Sequence, residues 1–353
     1  MVRRLFIGFF LFSAIFYSSA ATTSSKADVD EKNKKFQPGE MIMHHILDSH
    51  DWHILDWRGH ALSIPLPIIL FHEGRGLQTF MSSRFDHGHS DHMGYRLDHG
   101  NIISTNSDGT KNEIETNKIW DFSITKNVVS LIFSIIILLT IFIGISNRYK
   151  NFKNKAPSGI QSLLEPIIIF VRDDIAKSAI GEKDYQRYLP FLLTVFFFIF
   201  LNNLLGLVPF FPGGANLTGN IAVPMVMASM VFIITTLSGK KYYWKHIFAM
   251  PGVPKPVLLI LTPIEIFGVF LKPLVLMIRL FANITAGHII ILSFFSMIFI
   301  FGEMHPIAGY GVSVFSGLFV LFMMVLELLV AFLQAYVFTL LAAMYFGMAV
   351  EEH

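Results

Sequence analysis

The sequence predicts an all-α polytopic membrane protein. About five membrane-embedded helices are expected, including a long, strongly tilted C-terminal helical hairpin, with an interfacial amphipathic helix and an irregular N-terminal extension. Three observations lead there. Hydrophobic residues make up 53% of the 353 residues and charged residues only 15%, well below the roughly 25% usual in soluble chains. The charges are unevenly spread: residues 1–126 hold 28 of the 52 Asp, Glu, Lys and Arg side chains, whereas Val257–Gly347 holds five. Two C-terminal apolar stretches, Val257–Phe301 and Ile307–Val350, are each about twice what a perpendicular helix needs to cross a hydrocarbon layer about 30 Å thick.

Composition also excludes several classes. A net charge of +2 argues against a nucleic-acid binder. With no cysteine, disulfides and thiolate chemistry are absent. No P-loop, G-x-S-x-G or H-E-x-x-H pattern occurs, so the chain is not expected to be an enzyme on its own, nor to carry a cofactor.

Taken in order, Arg3 and Arg4 precede an apolar run, Leu5–Tyr17, and then small residues, Ser18-Ser19-Ala20. That order describes a signal peptide over 1–20. Residues 21–126 then form a periplasmic extension holding 10 of the 14 histidines, among them His44, His45, His50 and His53, with His87, His89 and His92 close together. Imidazole and carboxylate at such spacing are metal-ligand chemistry. A solvated segment whose histidines face water explains them with less, so no metal site is expected. Asn106-Ser107-Asp108-Gly109 reads as a turn between short strands, Ile102–Ser104 and Glu113–Glu115.

Residues 127–353 carry the membrane part. Val128–Ser146 is a first span, and Arg148, Lys150, Lys153 and Lys155 follow it. The positive-inside rule makes that end cytoplasmic, in agreement with an exported N-terminus. An amphipathic stretch opens at Pro157-Ser158-Gly159 and runs to Ile180, reading as an interfacial helix. Pro190–Pro209 then crosses outward and Ile221–Ser238 back, joined by the charge-free Phe210–Gly214 turn. Asn202 and Asn203 interrupt the outward span, where amides usually bond neighbouring helices.

Within the final stretches lie Glu265, Lys272, Arg279, His288 and Glu327. Each charge at mid-bilayer costs about 2.5–3.5 kcal/mol on the insertion scale, so an ion or proton path is the default reading. At 100° per residue Arg279, Ala282 and Ala286 share a face with Asn283 beside them, while Glu327, Ala331 and Gln334 line a stripe of the last helix. Arginine stays charged, whereas histidine and glutamate exchange protons near neutrality. Arg279 therefore suits a fixed electrostatic role, and His288, Glu327 and Glu265 suit a relay. The competing explanation is an ion pair between Glu327 and Arg279 that merely sets helix register.

The strings RLFANITAGH (Arg279–His288) and LQAYVFTLL (Leu333–Leu341) resemble subunit a of F-type ATP synthases, as do Asn202–Pro209, Lys272-Pro273 and the terminal Met348–His353. The resemblance covers Ile124–His353. It implies a proton-translocating stator subunit packed against a rotating ring of c subunits, held with the b subunits of the peripheral stalk and the rest of the synthase in a bacterial inner membrane, the C-terminus cytoplasmic. It further implies that Arg279 faces the ring carboxylates and separates two aqueous half-channels. Glu265 then belongs to the cytoplasmic one and His288 with Glu327 to the periplasmic one, with Asn283, Gln334, Lys272 and Asn203 as supporting polar groups. The acid and histidine are exchanged relative to several bacterial members, and Gly206 stands where some relatives carry an acid. The alternative is a secondary ion-coupled transporter with a midplane site, but the two halves of the chain show no similarity to each other.

Overall fold

A computed structural model describes residues 38–57, 60–88, 90–98, 100–106, 108–151, 157–208, 213–250 and 252–351. The expected signal peptide, His87 and His89 as a metal-ligand group, and residues 210–212 of the charge-free turn lie wholly or partly outside the described residues.

The chain divides into two compact units, the first made of residues 1–132, 208–217 and 289–320. Its described residues up to 125 open with helix α1 (Pro38–Ile46) and continue mainly in strands, with a 3₁₀ turn at Ser82–Gly88 and one further short helix. An antiparallel hairpin joins β1 (Asp51–Trp57) to β2 (His60–Pro65). A three-stranded antiparallel sheet has the order β4 (Gly76–Met81), β3 (Pro67–His72), β7 (Ile119–Asp121). A second hairpin pairs β5 (Tyr95–Asp98) with β6 (Asn101–Ser104). Strand β3 turns alternate residues inward, so Ile68 and Leu70 pack with Phe85, Tyr95 and Ile102 in a small core. The β3–β4 turn needs left-handed backbone at Gly74 and Gly76 (φ 112° and 75°), which glycine adopts without a Cβ penalty.

Two expectations for the extension change. It is not irregular, because alternating burial in β3, joined by Phe85, Tyr95 and Ile102, supplies a core that the near-continuous apolar lettering of PIILFH hid. The expected strand Glu113–Glu115 is instead the start of a short helix, α2 (Glu113–Thr116). The Asn112 side chain accepts the Glu115 N–H and so caps it. The turn before it forms as expected, with the Gly109 N–H donating to the Asn106 carbonyl at 3.0 Å.

The remainder is helical: α3 (Lys126–Asn151), α4 (Ile160–Phe170) extended by a π-helical stretch Val171–Lys177 and a last turn α5 (Ser178–Ile180), α6 (Tyr185–Leu207), α7 (Ala222–Ser238), α8 (Lys241–Phe248), α9 (Lys255–Met304) and α10 (Pro306–Val350). Among the described residues, four helices are long and apolar enough to cross a membrane, or five if α7 and α8, bent by 104°, count as one broken span. At 1.5 Å per residue the 50 residues of α9 and 45 of α10 reach roughly 75 and 68 Å, so neither fits a 30 Å layer upright. The hairpin between them closes in the first unit at His305. Gly309 approaches the backbone of Gly302 there, and Phe294 stacks on Phe319 at 3.8 Å.

The second unit holds residues 133–207, 218–288 and 321–353. Its packing centres on α10, where Ala331, Ala335, Phe338, Ala342 and Phe346 recur at three- and four-residue steps and are all buried. Small side chains let α6 lie close, with Tyr188 stacked on Phe346 (4.9 Å) and Phe196 edge-on to Phe332 (5.9 Å). At Gly347 any Cβ would run into the Ala179 carbonyl of α5, so the close approach of that turn to α10 requires glycine. Just beyond, the Lys240 N–H donates to the Ala349 carbonyl at 2.9 Å, tying the α7–α8 junction to the end of α10.

Candidate functional site

Glu265, Lys272 and Arg279 sit at seven-residue intervals on α9, so successive positions return within about 20° of one another and rise roughly 10 Å. One stripe thus carries an acid, a lysine and an arginine. Tyr345 of α10 lies against it: the Lys272 ammonium sits 5.6 Å from the ring centre, and the Arg279 guanidinium is within electrostatic reach of its phenol. From α8, Tyr243 comes within reach of Glu265, which also senses Lys272. A cavity opens among Tyr243, Lys272, Tyr345 and Thr235.

Farther along the same two helices the contacts are hydrogen-bonded. Asn283 Nδ2 donates to Gln334 Oε1 at 2.9 Å. Gln334 is only 3% exposed, and its own Nε2 finds no acceptor among the described residues. One turn earlier on α10, the Ala331 carbonyl accepts from Asn203 Nδ2 of α6 at 3.5 Å, while Thr218 Oγ1 donates to Asn203 Oδ1 at 2.8 Å. Asn202 turns back on its own helix instead, donating to Phe198 O at 2.8 Å.

Glu327 lies over Gly287, the residue before His288. A Cβ built on Gly287 would stand 3.2 Å from Glu327 Cδ and 3.4 Å from Cγ, and nearer still to Oε1. The missing side chain is therefore the slot that receives the carboxylate. Pairs 272–345, 283–334 and 287–327 run antiparallel, the first two in one register and the third offset from it by about one helical turn, which still places the polar groups of both helices along one seam.

Arg279 is exposed, and among the described residues no carboxylate comes within ion-pair distance of it. The register-setting Glu327–Arg279 pair is thus not made. Nor does any group of three or more His, Asp or Glu residues suit a metal ion among the described residues. His50 and His72 instead each face a single carboxylate, Asp121 (2.9 Å) and Glu115 (3.4 Å).

Against known families, residues 128–347 match the model described as ATP synthase A chain. The chain belongs to the subunit a family of F-type ATP synthases. Family membership makes it a multi-pass, proton-translocating stator subunit of the Fo membrane sector, non-catalytic by itself. Residues 41–122 match a second model, a domain of unknown function (DUF8433). The ATP synthase subunit a of Chloroherpeton thalassium is 44% identical over 240 residues, covering 66% of this chain and 69% of that protein. ATP synthase subunit a 2 of Chlorobaculum tepidum is 37% identical over 336 residues, 93% of this chain and 76% of that protein. The subunit a of Myxococcus xanthus is 41% identical over 237 residues, 65% and 74% of the two chains.

Sequence reasoning named Arg279, Asn283, His288, Glu327 and Gln334 but missed Gly287, Thr218, Tyr243 and Tyr345. The seven-residue spacing of Glu265, Lys272 and Arg279 was available as a signal. The two tyrosines and Thr218 were not, because their roles depend on which helices become neighbours.

Proposed function

We propose that Arg279 is the fixed cation that faces the carboxylates of a rotating c-subunit ring and keeps two half-channels apart. The observation that carries this reading is an exposed guanidinium on a membrane helix with no carboxylate among the described residues in ion-pair reach. A charge in oil costs about 2.5–3.5 kcal/mol, and an acid on a partner offsets that cost. A protonated ring carboxylate is neutral and crosses lipid; beside Arg279 its ionised form is stabilised, so the proton departs. The guanidinium repels a proton moving straight through, and the transmembrane potential, about 2.3 kcal/mol per charge per 100 mV, contributes to the direction.

The spacing along α9 suits two access routes. Glu265 stands fourteen residues from Arg279 on one side, roughly 21 Å, and His288 nine residues on the other, roughly 13 Å. Glu265 then serves the cytoplasmic route, and His288 with Glu327 the periplasmic one. Asn283, Gln334 and Asn203 hold the seam between helices, and Lys272 lies beside the cytoplasmic cavity. In this reading the chain sits in a bacterial inner membrane with b subunits and the rest of the synthase around it. Its C-terminus is cytoplasmic, a signal peptide covers 1–20, and the segment up to residue 126 is periplasmic.

The test is Arg279→Ala in the assembled synthase. ATP-driven acidification of inverted vesicles and proton-driven ATP synthesis are both expected to vanish while the complex still purifies intact. Normal coupled rates in a verified mutant complex would overturn the assignment. A transporter with its own midplane site would instead keep ion flux without the other subunits.

A further inference from the structure

We infer that the outer face of the β4–β3–β7 sheet rests on the lipid interface of the bilayer that α3 enters. The inner face of that sheet already covers the core of Ile68, Leu70, Phe85 and Tyr95. An antiparallel sheet with one buried face normally turns polar residues outward. Here the outward row across three strands is Leu77, Phe71 and Trp120, set side by side by the pairings Phe71–Leu77 and Phe71–Trp120. Phe122 and Met81 extend the same face toward α3, and all five side chains are exposed, Leu77 by 67% and Phe122 by 54%. The outward side chains in these rows are all uncharged. Glu73, in the adjoining turn, stands at the rim and accepts from Trp120 Nε1 at 3.4 Å. An indole with its ring on an apolar surface and its N–H at a polar rim suits a membrane–water boundary.

The choice of lipid over a protein partner comes from continuity with the membrane helix. Strand β7 runs into α3 without a loose joint. The N–H groups of Phe122 and Ile124 donate to the Ile69 and Pro67 carbonyls (2.9 and 3.0 Å), and that of Lys126 to the Ser49 carbonyl (2.9 Å). Asn127 N–H donates to Asp48 Oδ1 at 3.0 Å, giving the first turn of α3 an anion at its positive end. Lys126 is itself buried, its ammonium 3.4 Å from the Leu47 carbonyl. Phe122 is thus four residues from the start of a membrane helix, within about 14 Å even fully extended. An apolar face of this size, pinned that close to the bilayer, meets headgroups and upper acyl chains before anything else. The inference needs only that α3 crosses the membrane and stands apart from the role given to Arg279.

The chain has no cysteine, so Leu77→Cys in the full-length chain, reconstituted in phosphatidylcholine nanodiscs, takes a single nitroxide. Collisions with oxygen are expected to exceed those with a water-soluble nickel chelate severalfold at this site, and the reverse at Asp108→Cys in the exposed polar turn. Nickel collisions dominating at Leu77→Cys would mean that the face is in water. Suppression of both would mean a protein cover, from a second copy or another part of the chain. Either result overturns the inference. Independently of any change at Leu77, the emission lost between the parent chain and Trp120→Phe is expected to be quenched by bromine placed high on the acyl chains. An unquenched Trp120 would overturn it as well.

Discussion

Around β7, ionisable side chains meet their counter-charges. His50 lies 2.9 Å from Asp121, His72 lies 3.4 Å from Glu115, and Lys118 shares that Glu115 at 2.7 Å. Along α9 and α10 the opposite holds. Arg279, Lys272, Glu265 and Glu327 form no ion pair within the described chain, although each sits where a bare charge is costly. Pairing inside one chain settles charges and resists change. Leaving them open keeps them free for a partner or a proton. The β-rich segment therefore reads as a structure to be maintained, and the helical seam as a surface to be used.

The largest effect that tests this contrast is at Arg279. Beyond the alanine variant, Arg279→Lys is expected to lose most coupled transport, because a flexible ammonium does not reproduce a planar guanidinium. Vesicle acidification at rates near the parent's would show that any cation suffices. Next comes Gly287→Ala, whose methyl would invade the space of the Glu327 carboxylate. The carboxylate is the flexible end of its side chain and can swing aside at little cost in stability, but with Glu327 displaced proton translocation is expected to slow by roughly tenfold. An unchanged rate would separate Glu327 from the route. Asn283→Ala leaves Gln334 Oε1 buried without its donor, a loss of about 1–3 kcal/mol to be read as a lower melting temperature of the purified complex.

In the paired region the expected effects are smaller and follow pH. Burial by itself would raise the Asp121 carboxyl, but the bond and charge of His50, with the bonds from Ser123, outweigh it and hold the group below the usual aspartate range. Its contribution to stability is therefore complete above the ordinary carboxylate value and fades as pH falls through the lowered folded one. Asp121→Asn should flatten that acid dependence, seen in proteolysis of the segment between neutral pH and about pH 3. A parent segment equally resistant across that interval would show that the pair does little. Smallest of all is Asp173→Asn on the π-helical stretch. The adjacent Arg172 guanidinium, with Lys177 assisting, holds that half-exposed carboxyl down to about 2. An exposed pair contributes little, so no measurable change in melting is expected, and a clear loss would reveal a partner on that surface.

Much of the helical part was legible because membrane helices announce themselves by length and apolarity. The boundaries of α3, α7, α9 and α10 fall within a few residues of the expected ones. Arg279, Glu327 and Gln334 stood out as polar groups in oil. Their neighbours were less readable. That Asn283 meets Gln334 rather than Arg279 or Glu327 depends on the register of two antiparallel helices, which no local pattern fixes. Gly287 could be recognised as a slot only after Glu327 was seen above it. In the extension, β3 contains so many apolar residues that inward and outward faces cannot be told apart by lettering. The acidic Glu113–Glu115 run hid a helix whose start is fixed by Asn112.

An open guanidinium in a membrane helix also bears on how such a chain is made. If Arg279 faces a ring carboxylate as proposed, then until that partner arrives its charge would draw water and thin the lipid around it, marking the molecule as unfinished. Orphan copies would accordingly be short-lived, and survival would go to those that find their complement soon after insertion. The same side chain would act as an inspector of assembly before any work begins.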